Sequence, residues 1–349
     1  MELTQIETQD HEQVLRVRDA DSGLSGIIAI HSTQLGPAAG GLRMRSYADE
    51  AAALEDALRL SRGMTFKNAA AGLPLGGGKA VIIGDPARDK TPEMLATFGR
   101  AVEALGGRYW TAEDMGMTPA DMARVGTETR FVAGLADGPF ASGDPSPVTA
   151  RGIFNAIRTT ARHRFGSSDL AGLRVAVQGL GHVGLHLCDL LHRAGAELIV
   201  SDLNDSAVTE AQARFAARVV APEAILTVEA EILAPCAIGA VLNEVSIPDL
   251  RVQAVAGGAN NQLATAGDGA RLHARGILYA PDFIANGGGI INVATEILRI
   301  ADHPSWVAEK LGELDATMDR TLTRAAQRGV SPNDVAEEIV AERLRHDAA

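Results

Sequence analysis

Aromatic side chains make up only 4% of the chain, so the 46% of residues that are hydrophobic must build a core from Ala, Val, Leu and Ile, which favours helices packed on a parallel sheet. Cysteine occurs twice, at Cys188 and Cys236, far apart and inside apolar runs. That excludes a disulfide framework and a thiolate metal set, and it makes both expected core residues of a protein in a reducing cytoplasm. Positive charge is in deficit: 32 basic against 44 acidic side chains leave a formal charge of -12. Such a field repels nucleic acid and anionic membranes, so neither is an expected partner. No apolar run reaches the roughly 18 residues of a membrane span, and the acidic start MELTQIETQDHEQ has no apolar signal core, so a soluble, unprocessed chain is expected. The nine histidines show no two-ligand spacing such as H-E-x-x-H, and no metal site is expected.

What is present begins with length. A chain of 349 residues suits two domains with a cleft between them. Gln13 to Arg18 and Leu24 to His31 read as strands around an Asp21-Ser22-Gly23 turn, and Tyr47 to Met64 as a helix with Ala51, Leu54, Ala57, Leu58 and Ser61 on one face. Lys79 to Gly84 and Gly107 to Thr111 read as strands. Thr91-Pro92, Thr118-Pro119 and Ser331-Pro332 each pair an N-cap with a proline at the first helical position. Periodicity stops at LADGPFASGDPSP, residues 135–147, the expected hinge. Thr149 to Arg164 resumes as a helix. From Leu173 the pattern is βαβ, with short apolar strands RVAVQ, ELIVS, Ala217 to Val220, Ile232 to Ala234, Val252 to Ala256 and Ile277 to Ala280. Six such strands fit a doubly wound sheet. The expected architecture is therefore α/β: a first domain over residues 1–138, a Rossmann domain over 148–324, and helix from Pro304 to the end of the chain.

Two glycine-rich stretches carry the chemistry. In GLPLGGGKA, residues 72–80, the glycines run into Lys79, yet the position that a phosphate loop needs as its first glycine is Leu73, and its hydroxyl position is Ala80. The lysine therefore needs another explanation. In VAVQGLGHVG, Gly179, Gly181 and Gly184 form G-x-G-x-x-G between an apolar strand and a helix, the setting in which a pyrophosphate meets backbone N–H groups. Asp202 ends the next strand, placed to accept from an adenosine ribose and to repel a 2′-phosphate, so NAD is the expected cofactor. The expected cofactor-binding residues are Gly179, Leu180, Gly181, His182, Val183 and Gly184 in the turn, Asp202 and Leu203 after the second strand, Ala237 and Ile238 after the fourth, and Asn260 after the fifth. Asn260 and Asn261 suit a nicotinamide amide or a substrate amine.

Lys67, Lys79 and Asp114 are charged residues among small or apolar neighbours. Burial and a second nearby cation both disfavour a lysine's ammonium. Tuning a lysine to act as a base near neutral pH takes about 4 kcal/mol of such destabilisation. Paired lysines in these surroundings suggest one such site.

The chain resembles the Glu/Leu/Phe/Val dehydrogenases, and among them the shorter leucine-type members, through GPAAGGLRM, GMTFKNAAAGLPLGGGKAVIIGDP, TAEDMG, SGDPSPVTARG, VAVQGLGHVG, PCAIGAVLN, AGGANNQL and YAPDFIANGGGIINVATE. One departure is Asn286-Gly287-Gly288-Gly289 where the family usually has N-A-G-G, expected to loosen the backbone there. The resemblance implies reversible NAD-dependent oxidative deamination of an L-amino acid to a 2-oxo acid and ammonium by a homo-oligomer, with residues 1–138 as the substrate-binding and oligomerisation domain and C-terminal helices from about 325 to 349 that return to it. It assigns the substrate carboxylate to Lys67 with backbone near Gly40 and Gly41, and water activation at the iminium carbon to neutral Lys79. Proton exchange with the amine falls to Asp114, the nicotinamide to Thr149 and Asn260, and the amine to Asn261, while the glycines beside Lys79 let substrate lie close to the chain. The side-chain pocket is implied at Ala39, Ala112, Ile290 and Val293. All four are apolar, which disfavours glutamate through the cost of burying an unpaired charge and favours leucine, valine and isoleucine. Alanine at position 39, where leucine-specific members often carry leucine, leaves room for phenylalanine as an alternative. A catalytically silent NAD-binding sensor is the rival of another class. A 2-hydroxy-acid dehydrogenase is disfavoured because no histidine sits in a comparable glycine-flanked setting.

Overall fold

A computed structural model of the chain describes residues 1–346, which fall into two units: Met1–Pro145 with Ile290–Val307 and the residues from Glu342 on, and Ser146–Gly289 with Ala308–Ala341. In the first unit, β1 (Glu2–Gln5), β2 (Gln13–Asp19) and β3 (Leu24–Ser32) form an antiparallel meander whose turn is closed by the Ser22 N–H donating to Asp19 at 2.9 Å. Next come β4 (Ala38–Ala39), β5 (Leu42–Arg45), α1 (Glu50–Ala70), β6 (Gly76–Ile83), α2 (Pro92–Glu103), β7 (Tyr109–Trp110) and α3 (Pro119–Val125). The sheet order is β1-β2-β3-β6-β4-β7, with β5 also on β6. β6 is thus central: antiparallel to β3, parallel to β4 and β5.

Alternation along the strands sorts the core into two layers. Val14, Ile27, Ala29 and Val81 meet Ala53 and Ala57 of α1, while Ile28, Ile30, Ala80 and Ile82 face a layer holding Phe98, Tyr109 and Met122. Thr91 caps α2, and Thr118 and Asp121 form a capping box on α3. α1 departs from the sequence reading: it continues past Met64 to Ala70, and its buried face is Ala53, Ala57, Leu60 and Ser61, with Ala51 exposed. The Gly-rich run before Lys79 is itself strand, where the sequence reading began the strand at the lysine.

The second unit comprises α4 (Ser146–Phe165), β8 (Arg174–Gln178), α5 (His182–Arg193), β9 (Glu197–Ser201), α6 (Asp205–Phe215), β10 (Arg218–Val219), β11 (Ile232–Pro235), β12 (Ala254–Val255), α7 (Gly267–Ala274), β13 (Leu278–Tyr279) and α8 (Asp282–Ala285). Its strands lie in the order β10-β9-β8-β11-β12-β13, every pairing parallel, which is the doubly wound Rossmann arrangement with its switch point between β8 and β11. α9 (Gly288–Ile297) and α10 (His303–Arg328) straddle the two units, and α11 (Pro332–His346) ends the described chain.

The expected return of residues 325–349 to the first domain needs correcting. Residues 308–341 divide with the second unit, because α10 packs along α4: Thr159 donates to Asp315 at 2.5 Å, and Arg162 and His163 both reach Asp319 at 2.7 Å. Only the end of α11 groups with the first unit, where Gln34 donates to the Leu344 carbonyl. Residues 347–349 lie outside the described residues. No helix among the described residues is long and apolar enough to cross a membrane.

Candidate active site

Three successive glycines let three elements crowd onto β6. A Cβ at Gly76 would lie 2.0 Å from the Ser32 carbonyl, one at Gly77 2.1 Å from the Thr65 N–H of α1, and one at Gly78 2.6 Å from the Tyr109 ring. The space beside these glycines is therefore filled by protein. That corrects the expectation that they make room for substrate: their shared task is to seat β3, α1 and β7 tightly against the strand that carries Lys79.

Lys79 is 6% exposed, and its ammonium donates to Asp114 Oδ2. Asp114 lies just past Ala112, beside the break between β4 and β5 where Gly40 and Gly41 sit. A Cβ at Gly41 would come 2.8 Å from the Asp114 Cβ, and one at Gly40 1.9 Å from the Gly78 carbonyl. The Tyr109 hydroxyl donates to the Gly40 carbonyl at 2.7 Å, and Leu42 N–H to the Ala112 carbonyl at 2.7 Å. Residues Gly40, Gly41, Ala39, Ala112, Lys79 and Asp114 are thus brought together by β4, β6 and the segments that follow β4 and β7. Lys67 is half-buried in the last turn of α1, the helix packed on β6.

Burial pushes the Lys79 amine below its ordinary pKa; Asp114 opposes that and Arg43 adds to it. The sequence reading looked for the neighbouring cation in Lys67; Arg43 is one that it did not name. Arg43 Nε donates to Asp114 Oδ2 at 3.1 Å and its Nη1 to Asp56 Oδ2 at 3.1 Å, and Tyr47 donates to that same Asp56 oxygen at 2.8 Å. Burial alone would raise the Asp114 carboxyl, but Lys79 and Arg43 together hold it down at about 2. Arg43, Asp56 and Tyr47 escaped sequence reasoning. The one available signal was an arginine one residue past the two glycines in GPAAGGLRM.

Ile290 and Val293 are buried on α9. That helix is tied to the segment before α4 by Glu296, which accepts from the Gly134 N–H at 2.8 Å and the Ser142 hydroxyl at 3.1 Å, and by Asn292, which donates to the Ser142 carbonyl at 2.8 Å.

In the second unit the glycine turn is built by contact on two sides and left open on a third. Gly179 has φ +99° and abuts Ala237, and a Cβ at Gly184 would lie 2.1 Å from the Gly179 carbonyl, so strand and helix need both glycines. A Cβ at Gly181 would meet nothing within 4 Å. Gly181 is the N-cap of α5, whose first turn has neither a side-chain cap nor an acidic residue. Exposed N–H groups with no competing carboxylate fit a phosphate. Asp202 accepts from Leu180 N–H at 2.5 Å and Asn204 N–H at 2.8 Å, which fixes the carboxylate while leaving lone pairs for ribose hydroxyls. Leu180 offers only backbone, its side chain being buried, whereas Leu203 and Ile238 are 88% and 68% exposed. His182 and Ala237 are exposed, and Val183 and Thr149 half-buried in the first turns of α5 and α4. The dinucleotide requirements are met by the residues present.

Asn260 is exposed, and its Oδ1 accepts from Asn286 at 3.0 Å; Asn261 is left-handed at φ +51°. Asn286, buried and a fourth residue whose part sequence reasoning missed, therefore orients Asn260. The departure at Gly287 has a packing explanation in place of a loosened backbone: a Cβ there would press on Leu314 at 3.0 Å.

Residues 11–131 match the Glu/Leu/Phe/Val dehydrogenase dimerisation domain, and residues 200–344 the glutamate/leucine/phenylalanine/valine dehydrogenase domain. The chain is 53% identical over 292 residues to a leucine dehydrogenase of Geobacillus stearothermophilus, spanning 84% of this chain and 80% of that one. It is 46% identical over 339 residues to a leucine dehydrogenase of Bacillus subtilis, spanning 97% and 93%. The crystal structure of L-tryptophan dehydrogenase from Nostoc punctiforme matches with a TM-score of 0.82 at 40% identity over 97% of each chain.

Proposed function

The chain belongs to the Glu/Leu/Phe/Val dehydrogenase family of amino acid dehydrogenases, and on that premise we propose that it is a cytoplasmic homo-oligomer that reversibly deaminates leucine, valine and isoleucine. The products are the 2-oxo acid, ammonium and NADH. The observation that carries this reading is a buried lysine bonded to one carboxylate beside a permanent cation.

Lys67 holds the substrate carboxylate with backbone near Gly40 and Gly41. NAD, when bound, supplies the two-electron acceptor for the substrate Cα–H, and the turn from Gly179 to Gly184, Asp202, Thr149 and Asn260 are the residues that would hold it. Lys79 in its neutral form takes the proton of a water attacking the imine carbon. Asp114, sharing an oxygen contact with Lys79, exchanges protons with the amine and the tetrahedral adduct, so the two titrate as one unit. Asn261 assists in holding the amine. Ala39, Ala112, Ile290 and Val293 are all buried and apolar, and offer no partner to a second carboxylate. The match of residues 11–131 to a dimerisation domain supports assembly through the first unit.

A second reading, an aromatic substrate, is favoured by the two alanines at 39 and 112 and by the likeness to the tryptophan enzyme. Initial rates of absorbance rise at 340 nm with NAD at alkaline pH, over leucine, valine, isoleucine, phenylalanine and glutamate, test both. The branched amino acids should exceed glutamate by at least about a hundredfold, and Lys79→Ala should cost on the order of a thousandfold in kcat. A lead for phenylalanine selects the aromatic reading, and NAD binding without turnover selects the sensor.

A further inference from the structure

A lysine that shares its charge with one buried carboxylate holds its proton firmly, because losing it strands that carboxylate without compensation. Asp114 is not in that position. The oxygen that accepts from Lys79 also accepts from Arg43 Nε at 3.1 Å, and a guanidinium stays charged at every pH where the enzyme works. Arg43 is held from its far side by Asp56 at 3.1 Å, itself fixed by the Tyr47 hydroxyl at 2.8 Å; Arg43 and Asp56 side chains are each 11% exposed.

We propose that Arg43 is a positioning residue whose guanidinium keeps Asp114 compensated and aimed while Lys79 gives up and regains its proton, with Asp56 and Tyr47 as the clamp that fixes it. This deepens the reading of Lys79 as the base and rests on it. The charged and titratable groups around the pair are Asp114 after β7, Arg43 on β5, Asp56 on α1, Tyr47 before α1 and Tyr109 on β7. Arg59 reaches Asp56 from the solvent side at 3.7 Å. The direction of the Lys79 shift agrees, with Arg43 lowering it and Asp56 raising it. A planar fork suits this place because it joins two carboxylates on different elements in one rigid geometry.

The test is the pH profile of kcat/KM for leucine oxidation by the full-length enzyme and by Arg43→Gln, Arg43→Lys and Asp56→Asn, with Lys79→Ala alongside. Activity rises with pH as Lys79 loses its proton. Removing the neighbouring cation in Arg43→Gln moves that acid limb up by about one pH unit, so the rate below the limb falls about tenfold while the alkaline plateau stays within about threefold. Arg43→Lys brings the limb back to within a few tenths of a unit. Asp56→Asn moves it down, because the guanidinium charge then falls more fully on the pair. A purely structural Arg43 would lower kcat at every pH and leave the limb in place. An unmoved or lowered limb in Arg43→Gln overturns the proposal; if that variant does not fold, an unmoved or raised limb in Asp56→Asn does so. Retained activity in Lys79→Ala is a different result and strikes the underlying reading.

Discussion

The glycines before Lys79 and those between β8 and α5 look alike in sequence and do opposite things. At Gly76 to Gly78 each missing side chain is replaced by another part of the protein, down to 2.0 Å from where a Cβ would stand, whereas Gly181 faces open space. The first stretch uses glycine to press helix and strand together so that a charged side chain can be held in a dry, fixed setting. The second uses two glycines for packing and leaves the third open at the start of α5. A glycine-rich loop is thus no more a binding site than a tight joint until it is known which atoms fill the gap.

That contrast can be broken by adding one methyl group at each place. Gly77→Ala drives a Cβ into the Thr65 and Ser61 backbone of α1, and should lower the unfolding free energy in urea by about 3 kcal/mol or more. A loss below about 1 kcal/mol would show that α1 can retreat from β6 and that the glycine triplet has some other purpose. Gly181→Ala is the sharper, smaller probe. Its φ of -66° suits alanine and its Cβ meets nothing, so stability should stay within about 0.5 kcal/mol. NAD affinity by titration calorimetry should nevertheless fall about tenfold, because the methyl occupies the approach to the α5 N–H groups. Unchanged affinity would place the pyrophosphate elsewhere.

Much of the fold could be read from local chemistry. Thr91-Pro92 and Thr118-Pro119 start helices for reasons contained within four residues, and the six apolar strands of the second unit announce themselves by length and spacing. The end of α1 could not be read that way: Gly63 and the β-branched Thr65 suggest a stop, while the seat that Gly77 offers carries the helix on to Ala70. The partner of the C-terminal helices was equally hidden, since an amphipathic stripe states that a face is buried and not against what. Within the site, Lys79 and Asp114 stood out because charge among apolar neighbours is costly. Arg43 did not, as its partners Asp56 and Tyr47 lie on or just before a helix and only the fold sets them around one guanidinium. Asn286 was quoted with its glycines, yet its bond to Asn260 is a tertiary fact.

The central claim is that Lys79 works as an uncharged amine, and the composition of the chain makes it directly measurable. Only four lysines are present, Lys67, Lys79, Lys90 and Lys310, so the ε-carbon resonances of protein carrying 13C-labelled lysine can be assigned by single Lys→Arg substitutions and followed against pH. The Lys79 resonance is predicted to titrate clearly below the ordinary lysine value of about 10.4. A Lys79 resonance that titrates at or above that value in an enzyme still turning over leucine would contradict the account.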